Sequence, residues 1–543
     1  MRIDSDAIRG ELLRSQLSAV VADMGQTLSR CAVSLEITDE RDFSNGIVLE
    51  HGEVVVMDNG LHLGPMSATS LVIQDEFQFA MKQGDVVLTN DPYSGGNHVQ
   101  DFTVIAPFYY NRDHLCYLVC RAHLPDIGGH VAGGYYPFAD DIWGEGSRIT
   151  PVKLFKEGKM VRDVLDTVLI NGRYPETFRL NLEGMLAALE VGNRRLSEIV
   201  GEYGKEALLS GMKYCLQYSE SQLITEIRKW PNGTFEGESV LDHDGRGGTG
   251  LKVAVRLKVE DERLTLDFSS SAPQSRGFVN STRANTVSCA LVPFYTLFTD
   301  QILINSGLLR PVEILTTEGT IVDPAFPAPV GWNPFHIGSE IVAAVVQALG
   351  RVCPERIAAL APKFMMVMAQ WSQEEQPPFP LHLFLQGGAG GSHGCDGWGG
   401  FPGPFARVIV PSIEIVETQK PLRVKRLEMV PDSAGDGQWR GGFGTVAEFE
   451  FTDTTLVSVV MEGSDYPSEA VEGGKDGAPN QVKIAGREFN ERILWEQDLS
   501  GDTLEIMMGG GAGWGEPSAR KGELIQQDLE TGMISEKRVS KAG

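Results

Sequence analysis

The sequence predicts an α+β fold, a large mixed body of sheets and helices whose C-terminal half is richer in strand. Apolar residues recur at spacings of three and four through residues 4–30 and 181–223, which indicates amphipathic helices. Apolar and polar residues alternate strictly through residues 251–268, which is typical of an antiparallel hairpin with one exposed face. Alternation with frequent turn pairs continues through residues 407–506 and favours mainly strand there.

Length and composition indicate a globular protein with several regions. At about 150 residues per domain, 543 residues correspond to about three or four domains. The hydrophobic fraction of 42% and the charged fraction of 22% are ordinary for such a protein. We expect a metal-site region at 1–150, a helical region at 151–236, a mixed α/β region at 237–386, a β-rich region at 387–520 and a polar tail at 521–543.

The segment after the first helix predicts a hairpin and then a second helix. The hairpin strands are Phe43–Leu49 and Val54–Met57, and Asp42 precedes the first of them. A carboxylate at this place is either a turn residue or a ligand, and the residues alone favour neither role. The second helix is predicted at 71–81, and His62 before it favours a structural role.

Residues 84–130 carry several side chains that are capable of chemistry. Three apolar runs in this stretch predict short strands, at 85–90, 102–110 and 117–123. His98 and Asp101 form an H-x-x-D pair in the glycine-rich loop before the second run, and His123 ends the third run. Two adjacent strands would therefore carry the pair and His123 to the same edge of a sheet.

Two imidazoles and a carboxylate suit a divalent metal of the zinc or manganese kind, because mixed nitrogen and oxygen ligands favour these ions over magnesium or calcium. Asp91 and Asp126 are the other reactive side chains of the stretch. The competing interpretation is that each histidine is a hydrogen-bonding loop residue, which is the commoner role of a single histidine. Loops held by rigid strands often carry function, so the stretch is the candidate site.

The remaining chain offers fewer candidates. Residues 131–151 form a long loop rich in Gly, Tyr and Pro, and loops of this length are often lids or binding elements. Helices are predicted at 286–298 and 339–349, and Gly350 stops the second. Residues 387–404 predict a glycine-rich loop.

Charge and cysteine usage exclude several classes of function. The net charge of −26 argues against nucleic acid or an anionic membrane as the partner, because both require a positive surface. The charged N-terminus lacks the apolar core of a signal peptide, and no apolar run approaches about eighteen residues, so we expect a cytoplasmic protein. The seven cysteines are scattered without a CxxC pair, which predicts reduced core thiols.

The glycine-rich segments do not predict a nucleotide site. The sequence has no GxxxxGK[ST] motif, and the glycine boxes at 435–444 and 509–515 lack the strand–helix context of a dinucleotide-binding loop. GGSHG at 390–394 and SGMK at 210–213 fit serine-hydrolase motifs by letter. No helix is predicted after the first and no companion motif accompanies the second, which favours chance matches for both.

A series of boxes extends along the chain: RDFS (41–44), HLGPM (62–66), GDVVLTNDPYSGGNHVQD (84–101), RAHLPDIGG (121–129), GFVNSTRAN (277–285), PDSAGDGQWRGGFG (431–444) and GGGAGWGEP (509–517). In this order they resemble the hydantoinase B / 5-oxoprolinase family, the B-type subunits of N-methylhydantoinase-like enzymes. Related subunits occur in caprolactamase and in the acetone and acetophenone carboxylases. The TNDPY…GG-x-H-x-x-D box is the most specific of the matches.

The resemblance implies a metal site and a division of labour between subunits. Members of the family are thought to hold one divalent metal with four side chains, which here are Asp42, His98, Asp101 and His123. A companion A-type subunit would use ATP and Mg²⁺ to phosphorylate a small cyclic amide, and this chain would hydrolyse the activated intermediate. We therefore expect a hetero-oligomer that contains an ATP-binding A-type subunit.

In the implied reaction, the metal activates water for attack on the phosphorylated amide. Asp126, three residues after His123, is the candidate general acid or base, and its alternative role is that of a turn residue before Gly128. Two other functions stay open. One is a subunit of an ATP-dependent ketone carboxylase, and the other is a non-catalytic scaffold for the ATP-binding subunit.

Overall fold

The structure, a computed structural model, describes residues 5–77, 81–298, 302–333, 335–373, 376–383, 385–400, 410 and 412–538. The chain forms two compact units, and each unit is assembled from separated segments. Unit 1 comprises Met1–Gly233, Lys258–Asp267 and Phe278–Pro334. Unit 2 comprises Thr234–Leu257, Phe268–Gly277 and Phe335–Gly543.

Helices and several sheets share the chain, which confirms the predicted α+β class. The helices are α1 (Ser5–Cys31), α2 (Leu35–Thr38), α3 (Leu63–Glu76), α4 (Ile142–Glu145), α5 (Arg162–Leu169), α6 (Pro175–Tyr203), α7 (Lys205–Ile227), α8 (Arg283–Tyr295), α9 (His336–Gly350), α10 (Ile413–Gln419) and α11 (Gly522–Glu530). The strands are β1 (Phe43–Val48), β2 (Val54–Met57), β3 (Val86–Thr89), β4 (Asp101–Tyr110), β5 (Asp113–His123), β6 (Val152–Lys156), β7 (Lys159–Met160), β8 (Gly233–His243), β9 (Thr249–Glu260), β10 (Arg263–Asp267), β11 (Val312–Leu315), β12 (Met366–Gln373), β13 (Gln376–His382), β14 (Leu422–Met429), β15 (Thr445–Phe451), β16 (Leu456–Val460), β17 (Gln481–Ile484), β18 (Arg487–Phe489), β19 (Ile493–Asp498) and β20 (Thr503–Met508).

The main sheet of unit 1 holds the long strands β4 and β5 side by side. In the described residues it has seven strands in the order β2–β1–β5–β4–β3–β6–β7, and each neighbouring pair is antiparallel. Helices α1 and α6 pack against each other, and α6 also packs against β4 and β5. Phe102 of β4 meets Phe178 of α6 edge to face, with ring centroids 4.8 Å apart. This buried helix layer supports the strands that carry the candidate site.

Most local predictions for this region are confirmed. The predicted hairpin is the antiparallel pair β1 and β2, and the three predicted strands are β3, β4 and β5. Because β4 and β5 are adjacent, the H-x-x-D pair and His123 do lie at one edge of the sheet. The alternating segment 251–268 forms β9 and β10, which are neighbours in their sheet and are joined by residues 261 and 262.

Helix α3 corrects one prediction, because it begins at Leu63 and not at residue 71. The additional helical residues include Gly64 and Pro65. Proline is tolerated in the first turn of a helix, where backbone N–H groups have no intrahelical partner. The end of the predicted helix, at residues 78–80, lies outside the described residues.

Unit 2 contains two antiparallel sheets, with strand orders β13–β12–β16–β19 and β14–β15–β20–β17–β18 in the described residues. Helix α10 is an exception within the segment predicted to be mainly strand, since Ile413 and Ile415 alternate with acidic residues and yet lie in a helix. Residues 401–409 and 411 fall outside the described part of the chain. The polar tail includes α11.

All seven cysteines are free thiols, as predicted, but Cys31 and Cys395 are exposed and are not core residues. The other five are buried. Across the part of the chain that the structure describes, no helix has the length and apolar character needed to cross a membrane.

The approach of α3 to α8 predicts a stability defect in Gly64→Ala. A Cβ atom at position 64 would lie 2.0 Å from the carbonyl oxygen of Ala284, so the two backbones would have to separate. We expect a loss of about 2–3 kcal/mol in the free energy of unfolding, measured by denaturant titration. The control is Gly201→Ala in α6, where a Cβ meets nothing within 4 Å. Alanine should be neutral or stabilising there, by about 1 kcal/mol. Equal stability of the two variants would contradict the proposed steric conflict.

Candidate metal centre

Three strands bring the predicted site residues together. Asp101 is the first residue of β4 and His123 is the last residue of β5, and the two are direct cross-strand partners. On the other side of β5, the backbone N–H of His123 donates to the carbonyl of Asp42 (3.0 Å), just before β1 begins. The turn that precedes β4 closes with a hydrogen bond from the Asp101 N–H to the His98 carbonyl (3.3 Å). Sheet register fixes Asp101 relative to His123, and the two backbone hydrogen bonds place Asp42 and His98 beside them.

The side chains of His98, Asp101 and His123 form a compact buried cluster. Oδ1 of Asp101 lies 3.1 Å from Nε2 of His98 and 3.2 Å from Nδ1 of His123. One ligand atom from each of the three residues lies within 4.8 Å of the others. Asp42 joins less closely, because its Oδ2 is 3.7 Å from Nδ1 of His123. The structure thus unites three of the four predicted ligands tightly and places the fourth beside them.

The orientation of His98 indicates that a cation or a proton belongs in this cluster. Nδ1 of His98 lies 3.2 Å from the carbonyl oxygen of Gly331, so Nδ1 must carry the hydrogen that donates to it. In the neutral ring, Nε2 then presents a lone pair to Oδ1 of Asp101 at 3.1 Å. Two lone pairs at this distance repel each other unless a positive centre lies between them. The donor set therefore fits a divalent metal.

Buried positive groups keep Asp101 ionised. Burial alone would raise the pKa of this carboxyl, but His98, His123 and Arg121 together hold it well below its usual range. Arg121 is 1% exposed, and its Nε lies 3.5 Å from Oδ2 of Asp101. Its guanidinium also donates to Thr103 Oγ1 (2.8 Å) and to the side-chain oxygen of Asn97. Arg121 therefore occupies one side of the carboxylate and leaves Oδ1 facing the two imidazoles.

Both ring nitrogens of His123 contact neighbouring side chains. Its Nδ1 faces Asp101 and Asp42, and its Nε2 lies 3.3 Å from the hydroxyl of Tyr135. Burial acts to lower the pKa of His123, but its contacts with Asp101 and Asp42 outweigh burial and raise it. Tyr135 in turn packs against Trp332, with ring centroids 4.6 Å apart. If Nδ1 bound a metal, Nε2 could donate its hydrogen to the oxygen of Tyr135, as ligating histidines commonly do to a neighbour.

Asp42 and His62 complete the surroundings of the cluster. The Asp42 side chain is 19% exposed, whereas the His98, Asp101 and His123 side chains are 2–5% exposed. Burial raises the pKa of Asp42 to about 6, against the opposing effect of His123. Nε2 of His62 lies 3.7 Å from Oδ2 of Asp101, and burial lowers the pKa of its ring to about 3, so the ring is neutral.

Several residues of the site were not found from the sequence: His62 as a neighbour, Arg121, Tyr135, Gly331 and Trp332. One signal was available for Arg121, because residues two apart on a strand share a face, and His123 lies two positions further on β5. His62 belongs to a box that had been singled out, but no local pattern connected it to Asp101. Gly331 and Trp332 are distant in sequence from the other residues, and no local pattern predicts that they lie beside the cluster.

Asp126, the predicted general acid or base, makes four hydrogen bonds that fix a loop. Its Oδ1 accepts from Gly133 N (3.2 Å) and Arg173 Nη1 (2.9 Å). Its Oδ2 accepts from Gly128 N (3.2 Å) and Arg173 N (2.6 Å). These contacts support an anchoring role for the carboxylate. Its catalytic role stays a prediction. Asp91 likewise caps a turn, since it accepts from Tyr93 N (3.0 Å) and Ser94 Oγ (2.8 Å).

Comparison with known proteins agrees with this architecture. The profile of one family, described as hydantoinase B/oxoprolinase, matches residues 6–517. A putative B-type subunit of a D-/L-hydantoinase from Pseudomonas sp. (strain NS671) is 28% identical over 559 residues, which cover 98% of this chain and 94% of that one.

Two solved structures share the fold. The crystal structure of the ATP-dependent caprolactamase from Pseudomonas jessenii has a TM-score of 0.89 and 25% identity, covering 98% of this chain and 95% of that one. The nucleotide-free structure of acetone carboxylase also has a TM-score of 0.89, with 18% identity and coverage of 99% and 79%. At this lower identity the likeness concerns the fold alone.

The contacts of Asp126 predict a stability defect in Asp126→Asn. The substitution breaks the buried ion pair with Arg173 and turns an NH₂ group toward backbone N–H donors, so we expect a loss of about 3 kcal/mol in the free energy of unfolding. Denaturant titration measures the loss. The control is Asp141→Asn at the cap of α4, where the backbone N–H groups of Trp143 and Gly144 both donate to one side-chain oxygen. Asparagine caps a helix about as well as aspartate, so we expect a loss of only about 0.5 kcal/mol or less there. Unchanged stability of Asp126→Asn, together with lost turnover, would favour the catalytic role instead.

Proposed function

Because this chain belongs to the hydantoinase B/oxoprolinase family, we propose that it is the metal-dependent B-type subunit of an ATP-dependent cyclic amidohydrolase. Its substrate is a cyclic amide that a partner A-type subunit has phosphorylated with ATP and Mg²⁺. The observation that carries the proposal is the buried cluster of His98, Asp101 and His123, in which Nε2 of His98 lies 3.1 Å from Oδ1 of Asp101 while its Nδ1 faces the carbonyl of Gly331.

The proposed metal ligands are His98, Asp101 and His123, with Asp42 as the fourth. Two nitrogens and two carboxylates favour Zn²⁺ or Mn²⁺ over the hard cations. A bound divalent metal supplies a water of lowered pKa and polarises the substrate oxygen. Two distances support this ligand set. One ligand atom each from His98, Asp101 and His123 lies within 4.8 Å of the others, and Oδ2 of Asp42 lies 3.7 Å from Nδ1 of His123.

Other residues of the site orient the proposed ligands and limit the access of water. Arg121 holds Oδ2 of Asp101, so that Oδ1 keeps its direction toward the two imidazoles. Tyr135 covers the far side of His123, Trp332 packs against Tyr135, and His123 is buried from water. Asp42 is the most exposed of the four proposed ligands, so we propose that substrate and water approach from the Asp42 side.

The proposed partnership follows from chemistry and from the relatives. A cyclic amide resists hydrolysis, because resonance weakens its carbonyl as an electrophile and its nitrogen leaves poorly. Phosphorylation of the oxygen removes this resistance, and the sequence contains no GxxxxGK[ST] motif for binding ATP. The Pseudomonas hydantoinase relative is named as a B-type subunit, and the similar caprolactamase is ATP-dependent. The first name supports a partner subunit and the second supports a requirement for ATP. We therefore propose a hetero-oligomer in which ATP binds to a different chain.

The proposal predicts about one Zn²⁺ or Mn²⁺ per purified chain, measured by plasma mass spectrometry after dialysis. Replacing one ligand, as in His98→Ala or His123→Ala, should lower metal occupancy at least about 10-fold, because each removes one of a few ligands. His393→Ala is the control, since that histidine is exposed and distant in sequence. A wild-type chain without stoichiometric transition metal, together with full activity of His98→Ala in the complex, would contradict the proposal and favour a non-catalytic scaffold.

The activity itself is tested in a complex with the A-type ATP-binding subunit from the same genome. We expect the complex to open the ring of a hydantoin, 5-oxoproline or caprolactam only when ATP and both subunits are present. Chromatography of the ring-opened product measures the activity. His98→Ala in this chain should abolish ring opening but leave the partner able to bind ATP. Bicarbonate-dependent consumption of a ketone, without ring opening, would establish the carboxylase alternative and overturn the hydrolase.

A further inference from the structure

Glu145 is a fully buried carboxylate close in the structure to the proposed metal centre. It is the last residue of the short helix α4, and it is 0% exposed. Both of its oxygens accept backbone hydrogen bonds from one segment. Val330 N donates to Oε2 at 3.0 Å, and Gly331 N donates to Oε1 at 2.6 Å. Burial of a carboxylate is costly unless such donors satisfy it.

The residue that Glu145 binds is the same residue that orients His98. Gly331 gives its N–H to Glu145 and accepts a hydrogen bond from Nδ1 of His98 through its carbonyl (3.2 Å). A Cβ atom at position 331 would lie 2.9 Å from Oε1 of Glu145, so glycine allows the carboxylate to approach closely. Two consecutive hydrogen bonds thus connect Glu145 to a proposed metal ligand.

The surrounding segment, residues 327–333, is fastened along its length within unit 1. The carbonyl oxygens of Pro327, Ala328 and Pro329 accept from Ile142 N (3.0 Å), Tyr93 Oη (2.6 Å) and Asn280 Nδ2 (2.9 Å). At its end, Asn333 Nδ2 donates to the carbonyl of Asn97 (2.6 Å), next to His98. Such a segment has little freedom to adjust, and its position is transmitted directly to His98.

We propose that Glu145 is a positioning residue that fixes the Gly331 carbonyl, and through it the tautomer and orientation of His98 in the metal centre. The inference rests on the proposed function, since it concerns the same cluster. With Nδ1 committed to Gly331, the Nε2 lone pair of His98 points at the position shared with Asp101. Groups that orient a ligating histidine in this way commonly change metal affinity by about 10-fold or more.

The chemistry of the side chain explains why glutamate is required. Both carboxylate oxygens accept hydrogen bonds, whereas the NH₂ group of glutamine accepts none and would face a backbone N–H. Burial raises the pKa of Glu145 to about 8, although the amides of Val330 and Gly331 act to lower it. Both oxygens can accept from these amides whether or not the carboxyl is protonated. Glu145→Gln therefore preserves size and removes one of the two contacts to the segment.

The test compares Glu145→Gln with a matched control, Tyr93→Phe. Tyr93 donates to the same segment at Ala328, so Tyr93→Phe also removes one hydrogen bond, but not one at Gly331. The metal is removed from each protein, and Co²⁺ is titrated against a competing chelator. We expect Co²⁺ affinity to fall about 10-fold in Glu145→Gln and about 2-fold or less in Tyr93→Phe. We also expect the visible absorption band of saturated Co²⁺ protein to shift only in Glu145→Gln.

The spectroscopic comparison separates positioning from general stability. A variant that is merely less stable keeps the band of the wild type once it is saturated with metal. Wild-type affinity and an unchanged band in Glu145→Gln would overturn the inference, and so would equal losses in the two variants. If Glu145→Gln does not fold, Glu145→Asp replaces it in the test. The shorter side chain places the carboxylate farther from Gly331, so we expect Co²⁺ affinity between that of the wild type and the loss of about 10-fold expected for Glu145→Gln. Failure of the wild type to bind Co²⁺ would instead overturn the proposed function.

Discussion

The buried carboxylate of Asp101 is the group on which the rest of the site depends. It lies at the start of β4, opposite His123 at the end of β5, and it contacts two imidazoles and the guanidinium of Arg121. A charge this deeply buried is stable only when every side of it is matched by donors or positive groups. The sheet supplies this match through its register, because a shift by one residue would turn Arg121 and His123 to the opposite face.

The sequence allowed good prediction wherever a local pattern determines the structure. Strands β3, β4 and β5 were found from apolar runs, and the adjacency that would bring His98, Asp101 and His123 together is present in the sheet. The alternating hairpin of β9 and β10 was equally clear. Local patterns failed at α3, where Gly64 and Pro65 are compatible with a first helical turn, and at α10, where isoleucines alternate with acidic residues as they would in a strand.

The site itself was predictable in part, for a different reason in each case. His98 and Asp101 share a loop, and His123 ends a neighbouring strand, so geometry alone suggested their convergence. Asp42 entered through family resemblance. The residues that orient the cluster were beyond reach, because Gly331 and Glu145 are joined by hydrogen bonds across many residues of chain. Contacts of this kind leave no periodic trace in a sequence. The region boundaries and the catalytic role of Asp126 stay predictions.

The segmented construction of unit 1 has a consequence for synthesis of the protein. Residues 42, 98, 101 and 123 leave the ribosome early, but the backbone that aligns His98 belongs to Gly331. Until that late segment is synthesised, the histidines and carboxylates of the site lack the backbone that orients His98. A polypeptide that ends before Gly331 would therefore carry all four candidate ligands but lack the carbonyl that orients His98.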